Sequence, residues 1–127
     1  MWFANSNAPL FGNFISLIIY DYGSLKISYS KMGPSISLNP GQEASNCSAV
    51  LLDTGNFVLH ELNSDGSTVK RELWQSFDYP TDTLLPGMKL GFNKKSGQTW
   101  SLKSWRSDVV PDTGAFTFGM NVDYTWK

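Results

Sequence analysis

The sequence predicts an all-β protein assembled from repeated antiparallel hairpins. Three observations carry this. Gly and Pro punctuate the chain every ten residues or so, with short β-branched or aromatic runs between them, and helical periodicity is scarce. A stretch of twelve residues, Ser16-Leu17-Ile18-Ile19-Tyr20-Asp21-Tyr22-Gly23-Ser24-Leu25-Lys26-Ile27, returns at an offset of 32 as Ser48-Ala49-Val50-Leu51-Leu52-Asp53-Thr54-Gly55-Asn56-Phe57-Val58-Leu59. Each copy has the form of a hairpin, with an apolar run, then Asp-x-Gly, then a second apolar run. Gly supplies the positive φ of a short loop and Asp bonds back to the turn backbone. A repeat of this period points to symmetric or stacked units.

Strands are expected near Ser16–Tyr20, Ser24–Tyr29, Ser48–Leu52, Asn56–Glu61, Thr68–Gln75, Met88–Phe92, Thr99–Ser104 and Ala115–Asn121. Asn63-Ser64-Asp65-Gly66 and Asn93-Lys94-Lys95-Ser96-Gly97 are hairpin turns. Lys31 to Ala44 is rich in Ser, Gly and Pro, and reads as a loop with at most one edge strand. Pro80, Pro86 and Pro111 mark turns. Tyr79-Pro80 is an aromatic-Pro bond, a type that admits the cis isomer. Alternation places Phe57 and Leu59 inward, with Leu25 and Ile27 matching them in the first copy, and Asn56, Val58 and His60 outward.

Composition narrows the function. The 127 residues are 41% hydrophobic and 14% aromatic, enough apolar surface for a core. Ten basic against eleven acidic residues give a net charge of −1, which favours neither nucleic acid nor an anionic membrane. The lone cysteine, Cys47, rules out an internal disulfide and a Cys-based metal site. The single histidine, His60, leaves no His-pair metal site and no evident base for a Ser nucleophile. Asp78 and Asp82 bracket Tyr79-Pro80-Thr81 as turn residues with local bonds rather than as paired catalytic carboxylates. Gly91 to Gly97 lacks the Gly spacing of a phosphate loop, and no kinase signature is present. The expectation is a catalytically inert chain without metal or cofactor. No apolar run reaches membrane-spanning length. Met1 runs straight into Trp2-Phe3-Ala4-Asn5 with no basic region, so the sequence reads as cytosolic or as beginning partway through a longer protein. Asn46-Cys47-Ser48 is an N-glycosylation sequon.

Several segments resemble the bulb-type, monocot mannose-binding lectin module, and more closely its version in the ectodomains of plant S-domain (G-type lectin) receptor-like serine/threonine kinases. Trp2-Phe3-Ala4-Asn5-Ser6-Asn7-Ala8-Pro9-Leu10 is similar to the family's V-W-V-A-N-R-D-x-P-L segment. Ala49 to Leu59 is similar to A-x-L-L-D-[ST]-G-N-[LF]-V-L. Leu73-Trp74-Gln75-Ser76-Phe77-Asp78-Tyr79-Pro80-Thr81-Asp82-Thr83-Leu84-Leu85-Pro86-Gly87-Met88-Lys89-Leu90-Gly91 follows the long L-W-Q-S-F-D-x-P-T-D-T-x-L-P-G-x-x-L-G block almost without interruption. Ser104-Trp105-Arg106-Ser107, Pro111 and Gly114-Ala115-Phe116-Thr117 resemble the segment just beyond the module.

The resemblance implies a type II β-prism, three small antiparallel sheets with pseudo-threefold symmetry, truncated at its N-terminus. Trp2 and Trp74 become core aromatics beside Phe57, Leu59, Leu25 and Ile27. A third core Trp, usual in the family, falls near Ile36 and is absent. Residues 1–87 correspond to the lectin module and 88–127 to the opening of the next module. Sugar-binding members carry Q-x-D-x-N-x-V-x-Y. The second copy offers Leu52, Thr54, Asn56, Val58 and His60, which match at Asn56 and Val58; the first offers Tyr20, Tyr22, Ser24, Lys26 and Ser28, which match nowhere. Sugar hydroxyls left unpaired cost roughly 1–3 kcal/mol each, so loss of mannose binding is expected, with a working mannose lectin as the alternative. The implied setting is the outer face of the plasma membrane or secretion, with Asn46 glycosylated. The implied partners are a glycan, protein or peptide ligand, or a second ectodomain, with no nucleic acid and no membrane contact by this segment.

Overall fold

The computed structural model describes residues 2–11, 13–29, 33–40 and 42–120. It is all-β, with three three-stranded antiparallel sheets, the complement of a β-prism. The strands are β1 (Ser16–Tyr20), β2 (Ser24–Ser28), β3 (Ser35–Ser37), β4 (Cys47–Leu51), β5 (Phe57–Leu62), β6 (Val69–Gln75), β7 (Gly91–Phe92), β8 (Thr99–Ser107) and β9 (Val110–Gly119). Each sheet is a simple meander, in the orders β1-β2-β3, β4-β5-β6 and β7-β8-β9. The chain forms two compact units, Pro9–Gln75 and Met1–Ala8 with Ser76–Lys127.

In the first unit the internal repeat is kept at the level of register. Ser16 pairs with Ser28, Ile18 with Lys26 and Ile19 with Leu25. Adding 32 to each number gives Ser48 with His60, Val50 with Val58 and Leu51 with Phe57, which are also partners. Both loops are three residues long, because Tyr20 pairs with Ser24 and Leu52 N–H donates to Asn56 C=O at 2.9 Å. Gly23 (φ +66°) and Gly55 (φ +83°) supply the left-handed backbone. In the first loop Tyr22 joins them at φ +64°, an uncommon conformation for a side chain of that bulk. In the second, the Thr54 hydroxyl accepts the Asn56 N–H (3.4 Å).

The correspondence extends to the third strands. Trp74 of β6 lies opposite Leu59, and Ile36 of β3 lies opposite Ile27, which is Leu59 less 32. Ile36 therefore holds the place of the absent tryptophan. Trp74 is 6% exposed and meets Phe57 edge-on at 6.1 Å, whereas Ile36 is half-buried. The two sheets differ accordingly. Leu59 and Val58 on β5 are almost fully buried, while every residue of β1 is exposed, including Leu17, Ile18 and Ile19. Leu25 is the fully buried apolar side chain of the first hairpin, at 0%.

The first sheet is closed by Asn39. Its Oδ1 accepts the Leu25 N–H at 2.7 Å and its Nδ2 donates to the Gly23 carbonyl at 2.8 Å, with the residue 4% exposed. One side-chain amide thus stands in for a peptide group beyond the end of β3.

Two register shifts shape β6. Leu59 faces Trp74 but His60 faces Glu72, and Glu61 faces Arg71 but Leu62 faces Val69. The first bulge lets consecutive residues, Leu73 and Trp74, both be buried, which strict alternation forbids.

In the second unit, the Trp2 ring N–H donates to the Tyr79 carbonyl (3.0 Å), and Phe3 sits edge-on to Trp105 at 5.3 Å. Asn7 Oδ1 accepts both the N–H (3.1 Å) and the hydroxyl (2.8 Å) of Thr113. These bonds hold the N-terminal segment to β9.

Several boundaries move. The strand expected at Met88–Phe92 shrinks to β7, because Leu85 to Met88 closes a turn in which Gly87 takes φ +93° and Met88 N–H donates to Leu85 C=O. The strand expected at Ala115–Asn121 begins earlier, at Val110, and takes in Pro111. Pro111 is tolerated because β9 is an edge strand and the register is irregular between Trp105 and Ser107 opposite it. Asn121, like Lys31, Met32 and Gly41 of the expected loop, lies outside the described residues. Tyr79-Pro80 is trans, as is every peptide bond among the described residues.

Candidate functional site

The five positions of the second motif copy start in the Leu52–Asn56 loop and run into β5. Leu52 and Thr54 are exposed, and His60 is half-buried. The alternation argument places Asn56 and Val58 outward, but both are buried, Val58 with 1% of its surface exposed. β5 is the central strand of its sheet and is covered on both faces, so period two does not separate a wet side from a dry one there. Asn56 Nδ2 donates to Gln75 Oε1 at 2.8 Å, and Gln75 lies directly across from Val58. The two motif residues that survive in the sequence are thus part of a cross-strand arrangement with Gln75, which sequence reasoning did not single out. Of the expected core residues, Leu25, Leu59 and Trp74 are buried, while Phe57, Ile27 and Trp2 are half-buried.

A second site lies in the same unit, beside the tip of the first hairpin. It is an open cavity of about 870 Å³ lined by Ile19, Tyr20, Tyr22, Glu43, Asn46 and Glu61, among others. The motif positions 52 to 60 do not line it. Its floor is electrostatic. Glu61, whose side chain is only 5% exposed, accepts from Lys70 Nζ (3.0 Å) and Arg71 Nε (2.6 Å). The second bulge of β6 is what lets two consecutive cations reach one carboxylate. Arg71 and then Lys70 hold the Glu61 carboxyl below the usual carboxylate range. Arg71 also donates through Nη2 to the Glu43 carbonyl (2.8 Å), tying the loop before β4 to β6. None of this was legible as a motif. The only signal was Glu61, an acidic residue falling on the inward period of β5.

Cys47 also lines this cavity. Burial pushes its thiol up, the Glu61 charge adds to that, and Arg71 opposes it. The thiol is thereby held in its unreactive form. Asn46, next to it, is exposed; its Nδ2 lies 3.3 Å from the Asn63 carbonyl.

Asp78 closes a short 3-10 turn, Ser76–Asp78, while Asp82 accepts from the Thr81 and Thr83 hydroxyls (3.2 and 2.9 Å). Burial raises the Asp82 carboxyl, but bonds from Thr83, its own backbone N–H and Trp105 outweigh this and lower it overall. No cluster of His, Cys, Asp and Glu able to hold a metal occurs among the described residues, and no helix there is long and apolar enough to cross a membrane.

Three three-stranded antiparallel sheets with short Gly-bearing loops are consistent with a lectin-type β-prism module. The chain belongs to the D-mannose binding lectin family, which it matches over residues 1–106. It is 49% identical over 98% of its length to the G-type lectin S-receptor-like serine/threonine-protein kinase CES101 of Arabidopsis thaliana. It is 40% identical over 97% of its length to the receptor-like serine/threonine-protein kinase SD1-8 of the same plant, and 40% identical over 93% to the S-locus-specific glycoprotein S6 of Brassica oleracea. The chain spans 14% of each of those two kinases and 27% of the glycoprotein. It carries the lectin domain, and the kinase domain of the receptor relatives lies outside the stretch it covers.

Proposed function

We propose that this chain is a non-catalytic, extracellular recognition module, the lectin-like ectodomain part of a receptor-like kinase, which engages a ligand or partner ectodomain without binding mannose through its hairpin motif. The observation that carries this reading is the fate of the motif. Asn56 spends an amide proton on Gln75, and Val58 is buried, so neither presents itself to a sugar as the motif requires. Leu52 and Thr54 stand where Gln and Asp would bond hydroxyls, which leaves those hydroxyls unpaired. The extracellular setting is supported by the kinship with receptor kinases and S-locus glycoproteins. As part of this reading, residues 1–87 are the lectin module and 88–127 open the next one. That division rests on the strand-free stretch between Gln75 and Gly91, after which a new sheet begins, while the lectin-family match itself runs on to residue 106.

Calorimetry at millimolar mannose tests the reading. The unmodified chain is expected to give no heat of binding. The variant Leu52→Gln, Thr54→Asp, His60→Tyr restores the motif's residue types but leaves Asn56 bonded to Gln75 and Val58 buried, so it is expected to stay silent as well. Mannose binding by the unmodified chain, lost in Asn56→Ala while that variant keeps its near-UV circular dichroism, would make the working lectin the correct reading.

A further inference from the structure

We infer that the cavity beside the first hairpin is a carbohydrate site filled by the chain's own N-glycan, attached at Asn46. The sequon Asn46-Cys47-Ser48 does not lie on a remote surface. Asn46 is exposed and is itself part of the cavity wall. An N-acetylglucosamine joined to its Nδ2 starts from the wall of a space of about 870 Å³, far more than one sugar residue needs.

The lining has the two kinds of surface a pyranose asks for. One is flat and apolar. Tyr22 is 70% exposed and lines the cavity with Ile19, while the Tyr20 ring beside them carries Lys26 Nζ 5.2 Å from its centroid. Tyr22 keeps φ +64° with its carbonyl accepting the Gln42 N–H at 3.2 Å, which leaves the ring in water, and a sugar's C–H face covers such a ring. The other is a fixed acceptor. Each Glu61 carboxylate oxygen takes one bond from a cation and has a second lone pair, so it can accept a hydroxyl or acetamide N–H without losing Lys70 or Arg71. Because those bonds hold the carboxylate in place, the sugar meets a preformed partner.

The attachment balances without any group the chain must supply beyond the amide. The donor is an oligosaccharide on a lipid diphosphate, as in a eukaryotic secretory compartment. Its C1–O bond breaks and the electron pair leaves on the diphosphate. The Nδ2 of Asn46 forms the new bond to C1 and releases one proton. The other N–H stays and still reaches the Asn63 carbonyl, 3.3 Å away. The glycan is thus an extension of the fold over the exposed Tyr22 ring.

The test uses the 127-residue chain from a eukaryotic secretory host, with its glycan trimmed to a single N-acetylglucosamine, compared with Asn46→Gln. Both are made with Tyr22, Tyr22→Phe and Tyr22→Ala, and thermal midpoints are measured. The sugar is expected to raise Tm by about 4 °C with Tyr or Phe at 22 and by less than about 1 °C with Ala. Three results overturn the inference. The first is an unglycosylated Asn46. The second is a gain that is the same in all three backgrounds. The third is binding of free chitobiose to the Asn46→Gln chain with no gain from the attached sugar, which would make the cavity a reader of other molecules' glycans.

Discussion

Replacing Asn39 by alanine removes two buried hydrogen bonds at one stroke. The Leu25 N–H loses its acceptor at 2.7 Å, and the Gly23 carbonyl loses its donor at 2.8 Å. Leu25 is fully buried and Gly23 is buried, so water does not readily replace either partner. Each orphaned group costs roughly 1–3 kcal/mol, which for the pair comes to about 2–6 kcal/mol. With a urea slope near 1.5 kcal/mol/M, the unfolding midpoint falls by about 1.3–4 M. Urea titration followed by tryptophan fluorescence measures this, with an unchanged slope as the check that the unfolded state is the same. Asn39→Asp separates the two bonds. It keeps an acceptor for Leu25 N–H but turns a carboxylate oxygen toward the Gly23 carbonyl. That repulsion raises the carboxyl's pKa in the folded state, so the variant binds protons more readily folded than unfolded. Its stability deficit is therefore largest at neutral pH and shrinks as pH falls. A midpoint for Asn39→Ala within about 0.3 M of the parent would refute the reasoning, because the side-chain amide would then not be closing the sheet.

Trp74→Ala empties a site that is 6% exposed and in contact with Phe57, and costs roughly 3–5 kcal/mol in the same titration. The Asp65 carboxyl is lowered to about 2 by bonds from the Thr68 hydroxyl, the Thr68 N–H and the Ser67 N–H. Its contribution is present above the unfolded value near 4 and is lost as pH falls from about 4 to about 2, and Asp65→Asn should remove that part of an acid titration. Because Asp65 sits in an exposed turn, solvent keeps the effect small. Cys47 should alkylate slowly with iodoacetamide at pH 7 and faster as pH rises, whereas Arg71→Ala should slow it further by removing the charge that favours thiolate.

The sequence carries its hairpins openly because Asp-x-Gly leaves little choice of loop. Once Tyr20 and Ser24, or Leu52 and Asn56, are joined by three residues, the register of both strands follows. The repeat made the same point twice. What stayed hidden was set by pairing with distant strands. Whether Asn56 faces water depends on Gln75, nineteen residues away, and on both faces of β5 being covered. The ion triad at Glu61 depends on the second bulge in β6, which brings together residues that simple alternation would point apart. Asn39 lies in a stretch rich in Ser, Gly and Pro, where an amide that completes a sheet looks like any other loop residue.

The first two sheets have one register and unequal burial, so they should not open together. Amide exchange depends on local opening, and opening is governed by how much packed surface must be released. Amides of β5, flanked by β4 and β6 and anchored by Leu59 and Trp74, belong to the slowest-exchanging set. Those of β1, an edge strand with every side chain exposed, belong to a faster one. A duplicated pattern of backbone pairing would then hold a rigid half and a yielding half. The yielding half carries Tyr20 and Tyr22, so whatever settles on those rings also decides how often that hairpin breathes.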